Sequence, residues 1–141
     1  MIANVLTGGC LCRAVRYECG PPISPPCFCH CESCRRASGA HSVAWATVRK
    51  DTFRVTAGAL REYASLPPVL RQFCERCGAQ ITYWNRESPD TIDVTIATLE
   101  HPDSVAPVDH IWMQDSVAWD RPNDGKPQFR TGRTAGERFD E

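Results

Sequence analysis

Four cysteines fall within eight residues of the chain, at Cys27, Cys29, Cys31 and Cys34. Thiols of an extended C-x-C segment do not easily bridge to each other, because their Cα atoms lie ~6.6 Å apart, near the limit of disulfide geometry. A C-x-C-x-x-C run can instead place three thiolates around one tetrahedral zinc ion. The spacing therefore favours a metal site, and the group in the fourth coordination position would then decide the function.

Two more pairs of cysteines lie elsewhere in the chain. Cys10 and Cys12 form a C-x-C pair, and Cys74 and Cys77 form a C-x-x-C pair followed by Gly78, where a tight turn around a metal would require a positive φ. The total of nine cysteines is odd, and the N-terminus has no basic segment followed by a long apolar run. These features favour metal-binding thiolates over disulfides and predict a reducing, cytoplasmic compartment.

Composition narrows the possible partners. The 141 residues include 16 basic and 17 acidic ones, so the net charge of −1 provides no overall field that would attract nucleic acid or a membrane surface. No apolar run approaches the ~20 residues of a transmembrane helix. We therefore expect neither nucleic acid nor membrane as a partner, and the oligomeric state stays open. We also expect a single domain over residues 1–129 and, because apolar residues almost vanish after it, a loose tail over residues 130–141.

The elements that must position the cysteines are mostly strands. Short runs rich in β-branched and aromatic residues, separated by turn-like segments, predict a mainly β fold. The predicted strands cover residues 13–18, 41–48, 52–55, 60–63, 69–73, 80–84, 91–99 and 108–112. Residues 49–51 are expected to form a hairpin connection, and the strand over residues 91–99 is expected to be central. Residues 32–38 predict one short helix that ends at Gly39 and holds Cys34 in its first turn.

Several motifs occur together in a specific order. They are Gly8-Gly9-Cys10-Leu11-Cys12, Cys29-His30-Cys31 with Cys34-Arg35-Arg36 and Gly39, Phe73-Cys74-Glu75-Arg76-Cys77-Gly78, His110-Ile111-Trp112 and Trp119. From about residue 6 to residue 129 the chain resembles the glutathione-dependent formaldehyde-activating enzyme (GFA) family, which also includes centromere protein V. The resemblance implies a mainly β fold of the β-tent type, with short antiparallel sheets and zinc bound between them.

The resemblance also divides the cysteines into two sites, and so implies two zinc ions per chain. It assigns a closed structural site to Cys10, Cys12, Cys74 and Cys77, and a catalytic three-thiolate site to Cys29, Cys31 and Cys34. The ligand numbers agree with this division, because four thiolates complete a tetrahedron whereas three clustered thiolates can leave one position open.

Two residues depart from the family pattern. Arg13 stands where the family usually has glycine, and Cys27 is an additional thiol. As a fourth ligand, Cys27 would close the catalytic site. We predict that it lines the pocket without binding zinc.

The ligand set of the open site predicts its chemistry. Zinc held by three thiolates is a weaker Lewis acid than zinc held by three histidines, and it should prefer an incoming thiol. A thiol bound there would ionise and be placed to attack an aldehyde carbon. The resemblance implies glutathione as the thiol, formaldehyde as the aldehyde and a carbon–sulfur lyase of the S-(hydroxymethyl)glutathione synthase type as the enzyme.

Two other classes of function compete with the lyase. In one, both zinc ions are structural and the protein is a non-catalytic module that recognises a protein or, less favoured by the neutral charge, a nucleic acid. In the other, Cys74 and Cys77 form a redox dithiol, but the βαβ pattern typical of such proteins is missing. His30 and Glu32 alternate with the cysteines and could be hydrogen-bond partners of the ligands or proton carriers, although residues at such positions usually point away from the metal.

Overall fold

The computed structural model describes residues 4–139, and ten strands in this part of the chain form two sheets. In chain order the strands are β1 (Leu6–Gly9), β2 (Arg16–Cys19), β3 (Cys27–Cys29), β4 (Val43–Arg49), β5 (Arg54–Ala57), β6 (Leu60–Leu66), β7 (Val69–Cys74), β8 (Gln80–Asn85), β9 (Thr91–Thr95) and β10 (Asp109–Ile111). The small sheet has the order β1-β2-β5, and the large sheet has the order β10-β3-β4-β9-β8-β7-β6. All pairs are antiparallel except β10 with β3. The mainly β prediction is confirmed.

The helix α1 (Glu32–Ser38) is the single α-helix of the described residues. Its N-cap is Cys31, whose Sγ accepts a hydrogen bond from the Cys34 amide at 3.3 Å. Gly39 ends it with a left-handed φ of 68°, which glycine adopts without steric cost. Short 3₁₀ turns occur at Lys50–Thr52, Ile96–Thr98, Pro102–Ser104, Met113–Asp115 and Arg133–Ala135. None of these helices is long and apolar enough to cross a membrane.

The two faces of the large sheet carry different side chains, because successive residues of a strand point to opposite sides. On one face, the paired residues Ala46 and Val94 are completely buried in the core that this sheet shares with Tyr17 of the small sheet. On the other face, Thr47 of β4 pairs with Asp93 of β9. Strand alternation therefore separates a continuous apolar core from a face that carries polar side chains.

Two details of the predicted strands were wrong. The hairpin expected at residues 49–51 does not form, because β4 lies between β3 and β9 in the large sheet while β5 pairs with β2 in the small sheet. The turn at Lys50–Thr52 instead carries the chain from one sheet to the other. The strand expected over residues 91–99 ends at Thr95, where a 3₁₀ turn begins. Its central position is confirmed, since β9 is the fourth of seven strands.

The prediction of a loose tail from residue 130 onward is also wrong for residues 130–139, which pack against the rest of the protein. The segment pairs with itself through Phe129 and Arg138, and it contains a 3₁₀ turn. Arg133 forms a two-pronged ion pair with the buried carboxylate of Asp109 and donates to the carbonyl of Pro25 at 3.0 Å. The low apolar content of the segment did not predict this packing, because ion pairs and backbone hydrogen bonds hold the segment in place. Residues 140 and 141 lie outside the described part.

Candidate metal centres and the adjoining pocket

A cluster of four cysteine sulfurs joins the two sheets. Cys10 and Cys12 follow β1 of the small sheet, and Cys74 and Cys77 come from the end of β7 and the turn after it. All four sulfurs lie within 4.8 Å of one another, with Sγ–Sγ distances of 3.6 Å for Cys10–Cys12 and 3.8 Å for Cys12–Cys74. Two tetrahedral zinc–sulfur bonds of ~2.3 Å would separate the sulfurs by ~3.8 Å, so the cluster has the size of a four-thiolate zinc site.

The backbone around this cluster is shaped to present the sulfurs. Gly78 adopts the positive φ expected of it, at 76°, and its amide donates to the Cys74 carbonyl at 2.9 Å. Arg13 takes a left-handed φ of 66°, a conformation that is uncommon for residues with a side chain and that glycine adopts readily.

Amide groups of the chain also point at these sulfurs. The Val15 amide donates to the Sγ of Cys10 at 3.2 Å, and the Arg76 amide donates to the Sγ of Cys74 at 3.3 Å. Backbone hydrogen bonds to Cys77 lower its pKa to about 6. Hydrogen bonds to the charged form of a thiol favour that form, so the donor set fits a metal that binds thiolates.

A second cluster contains the three sulfurs of Cys29, Cys31 and Cys34, also within 4.8 Å of one another. Cys29 ends β3, Cys31 caps α1 and Cys34 lies in the first turn of that helix. One strand end and one helix start therefore suffice to gather the sulfurs. Hydrogen bonds from Cys29 and Cys31, followed by the charge of Arg71, lower the pKa of Cys34 to about 3. The three sulfurs and their readily ionised member fit a three-thiolate zinc site.

The three-sulfur cluster opens on a cavity of about 640 Å³. The cavity walls come from the polar face of the large sheet, the start of α1, the end of the β6–β7 hairpin and the C-terminal segment. Important wall residues are Trp45, Thr47, Arg71, Tyr83, Asp93 and Arg133. Within residues 4–139 this cavity touches the three-sulfur cluster but not the four-sulfur cluster. Its volume lies in the range of small-molecule sites, ~300–1,000 Å³.

Cys27 lines the same cavity but lies outside the three-sulfur group. It pairs across the strands with Trp45, and burial raises the pKa of its thiol to about 12. This environment keeps Cys27 protonated and apart from the cluster. That it does not bind metal stays a prediction.

The two polar residues that alternate with the cysteines have other partners. His30 is 1% exposed, and its Nε2 lies 2.9 Å from the Nδ1 of His110, which in turn contacts Asp124 at 2.9 Å. Glu32 forms an exposed ion pair with Arg36 at 2.9 Å. Neither residue is part of the sulfur group.

The sequence patterns did not single out Arg71, Tyr83 and Asp93, which share one row of the cavity wall. Arg71 pairs across the strands with Tyr83, and Tyr83 pairs with Asp93. Their alignment depends on strand register, which the sequence does not reveal. One signal was available for Asp93, because a carboxylate in the middle of an apolar central strand is unusual.

The fold and the site together define a class: a small, mainly β protein with two separate cysteine clusters that could each hold a metal ion. The model of the glutathione-dependent formaldehyde-activating enzyme family matches residues 5–115, and the chain belongs to that family. A crystal structure of a Rhodobacter sphaeroides protein is similar, with 31% sequence identity and a TM-score of 0.61. The alignment covers 74% of this chain and 98% of that one. The comparison with curated proteins gave no match.

Proposed function

We propose that the protein is a zinc-dependent carbon–sulfur lyase of the S-(hydroxymethyl)glutathione synthase type. It would join a thiol of the glutathione class to a small aldehyde such as formaldehyde, and catalyse the reverse cleavage. The observation that carries this proposal is the opening of the three-sulfur cluster of Cys29, Cys31 and Cys34 on a cavity of about 640 Å³. A purely structural cluster has no need of such a cavity beside it.

The two clusters would have different tasks. Cys10, Cys12, Cys74 and Cys77 would hold a structural zinc ion that ties the two sheets together. Cys29, Cys31 and Cys34 would hold the second ion, which supplies a coordination position that prefers a soft thiol and stabilises its ionised form.

Residues of the cavity would bind and orient the two reactants. The rings of Trp45 and Tyr83, whose centroids lie 6.1 Å apart, provide apolar surface that excludes water from the aldehyde. Arg71 places a buried positive charge beside Cys34, where it offsets the negative charge that accumulates as thiols ionise. Holding both reactants together turns a bimolecular encounter into a reaction within one complex.

The same chemistry suggests the compartment. The two sites together contain seven thiols that must stay reduced, so we propose a cytoplasmic location, where low-molecular-weight thiols are also available. No helix of the described residues could serve as a membrane span.

The test is the rate at which free thiol and hydroxymethyl adduct interconvert, measured by exchange NMR on glutathione and formaldehyde at equilibrium. The zinc-loaded protein should accelerate the exchange above the uncatalysed rate. Cys31→Ser should abolish the acceleration while the protein still binds one zinc ion. Cys19→Ala changes a cysteine outside both clusters and should retain the acceleration. A wild-type protein with two zinc ions and no acceleration would contradict the proposal.

A further inference from the structure

Asp93 is a carboxylate at the centre of the large sheet. It lies on β9, the fourth of seven strands, and its side chain is on the cavity face. The hydroxyl of Thr47 donates to its Oδ1 at 2.6 Å. Among residues 4–139 no other hydrogen bond or ion pair reaches this carboxylate, so Oδ2 is free to meet a molecule in the cavity.

The surroundings of Asp93 make its proton easy to exchange near neutral pH. Burial raises the pKa of Asp93 to about 6, and the hydrogen bond from Thr47 acts in the opposite direction. An acid–base group works best when its pKa lies close to the working pH. A surface carboxylate, with a pKa near ~4, would be a much weaker proton acceptor.

The charged and titratable groups facing Asp93 come from several elements. The Tyr83 phenol lies across from it on β8, and the Cys27 thiol lies on β3. Arg71 of β7 stacks over the Tyr83 ring at 5.1 Å, and Arg133 is held by Asp109 of β10. Glu32 and Asp115 also line the cavity. None of the cations in this set forms an ion pair with Asp93 within the described residues.

A half-buried carboxylate without a positive partner is costly to ionise, and a carboxyl with a shifted pKa beside a cavity is a candidate functional group. The three sulfurs and Asp93 line one cavity, yet Asp93 is not part of the sulfur group. We propose that Asp93 is the acid–base residue of the lyase, whose Oδ2 takes the proton of the substrate thiol and gives it to the aldehyde oxygen. This inference rests on the function proposed above.

The proton and electron pairs balance within the two reactants and Asp93. The S–H bond of the thiol breaks, and its proton goes to Oδ2. The sulfur electron pair forms the carbon–sulfur bond, while the π pair of the aldehyde moves to its oxygen. That oxygen then takes the proton from Asp93 and becomes the hydroxyl of the adduct. No oxidant or further reactant is needed, and the reverse sequence cleaves the adduct.

The first test needs no turnover. Calorimetry of glutathione binding, without aldehyde, in buffers of different ionisation enthalpy gives the number of protons released per thiol bound. At pH 6.5, where Asp93 is mostly ionised in the free protein, the negative charge of the bound thiolate should raise the pKa of Asp93, so the wild-type protein should release clearly less than one proton. Asp93→Asn should release about one. Asp90→Asn removes an exposed carboxylate just before the same strand and should behave as wild type.

The second test uses the pH dependence of kcat/KM for the condensation. Asp93→Asn should lose about 100-fold or more in kcat/KM and the acidic limb of the profile with it. The variant keeps an Oδ1 acceptor for Thr47, so zinc content and fold should be preserved. Thr47→Val removes the hydrogen bond that lowers the pKa of Asp93 and should move the acidic limb to higher pH.

The outcomes separate the two proposals. If wild-type protein neither binds glutathione nor accelerates the exchange, the proposed function fails and the role of Asp93 fails with it. If wild type binds and reacts but Asp93→Asn releases the same number of protons, only the role of Asp93 is overturned. An acidic limb that Thr47→Val leaves in place would also count against Asp93.

Discussion

The Nη2 atom of Arg71 lies 3.8 Å from the Sγ of Cys34, and both residues are more than nine-tenths buried. The other hydrogen bond of this guanidinium goes to the Gln80 side chain at 3.2 Å. Within residues 4–139 no carboxylate forms an ion pair with Arg71. A buried guanidinium needs a compensating charge, and the readily ionised thiol of Cys34 beside it can supply one.

The first prediction concerns this pair. Arg71→Gln should lower the zinc affinity of the three-sulfur site by about 10-fold or more, because a hydrogen bond to a charged group contributes ~1.5–3 kcal/mol. Competition with a chromophoric chelator measures the affinity, and the four-sulfur site serves as the internal control. Arg71→Lys, which keeps the charge, should recover part of the loss. Equal affinities for wild type and Arg71→Gln would show that the charge does not act on the site.

The second prediction is the number of metal ions. Protein purified without chelator should contain two zinc ions per chain, because the seven clustered sulfurs form two separate groups. Elemental analysis combined with thiol titration gives the count. A well-folded, metal-free protein with nine titratable thiols would overturn the proposed function and the division into two sites.

The third prediction is that the two clusters contribute unequally to folding. Cys74→Ser should lower the Tm by roughly 10 °C or more, because a metal that ties the two sheets together contributes its binding free energy to folding. Cys31→Ser should lose one zinc ion with a much smaller change in Tm, since its three ligands come from one short segment. Thermal melts with parallel zinc analysis compare the two variants. Similar losses of Tm would contradict the distinction between a structural and a catalytic site.

The sequence predicted the grouping of the cysteines more successfully than the cavity beside them. Cysteine spacing is local, so Cys29, Cys31 and Cys34 could be assigned to one group before any fold was known. The row from Arg71 through Tyr83 to Asp93 depends on the register of three strands and on an irregularity in the β7–β8 pairing. No local pattern encodes such an alignment. The error at residues 49–51 has the same cause, because a turn sequence does not tell which sheet the next strand joins.

The fourth prediction concerns Cys27. Cys27→Ala should leave the zinc affinity of the three-sulfur site within about twofold of wild type, because the sulfur lies outside the cluster and burial keeps its thiol protonated. Cys31→Ala is the matched comparison and should abolish zinc binding at that site. A loss for Cys27→Ala as large as that for Cys31→Ala would mean a closed four-thiolate site, and the lyase proposal would then give way to a structural role.

The fifth prediction follows from the pKa of Asp93, which burial raises to about 6 in the folded protein from ~3.9 in the unfolded chain. The folded state binds this proton more tightly, so the carboxyl favours folding below pH ~4, and this contribution is lost as the pH rises through 6. Asp93→Asn cannot ionise and should be more stable than wild type at pH 7.5, by about 3 kcal/mol at most. Urea unfolding at pH 7.5 and at pH 4.5 measures the difference, which should shrink at the lower pH. A variant less stable than wild type at pH 7.5 would contradict the expected cost of the charge.

The docked C-terminal segment lies beyond the residues that the family model matches. The family match ends at residue 115, and all seven clustered cysteines precede that point. Arg133 and Thr134, which belong to the segment after it, form part of the cavity wall. Under the proposed function, changes in this segment would alter which thiol enters the cavity without changing the cysteines of either cluster. Under the same proposal, the choice of thiol and the metal chemistry would depend on different parts of the chain.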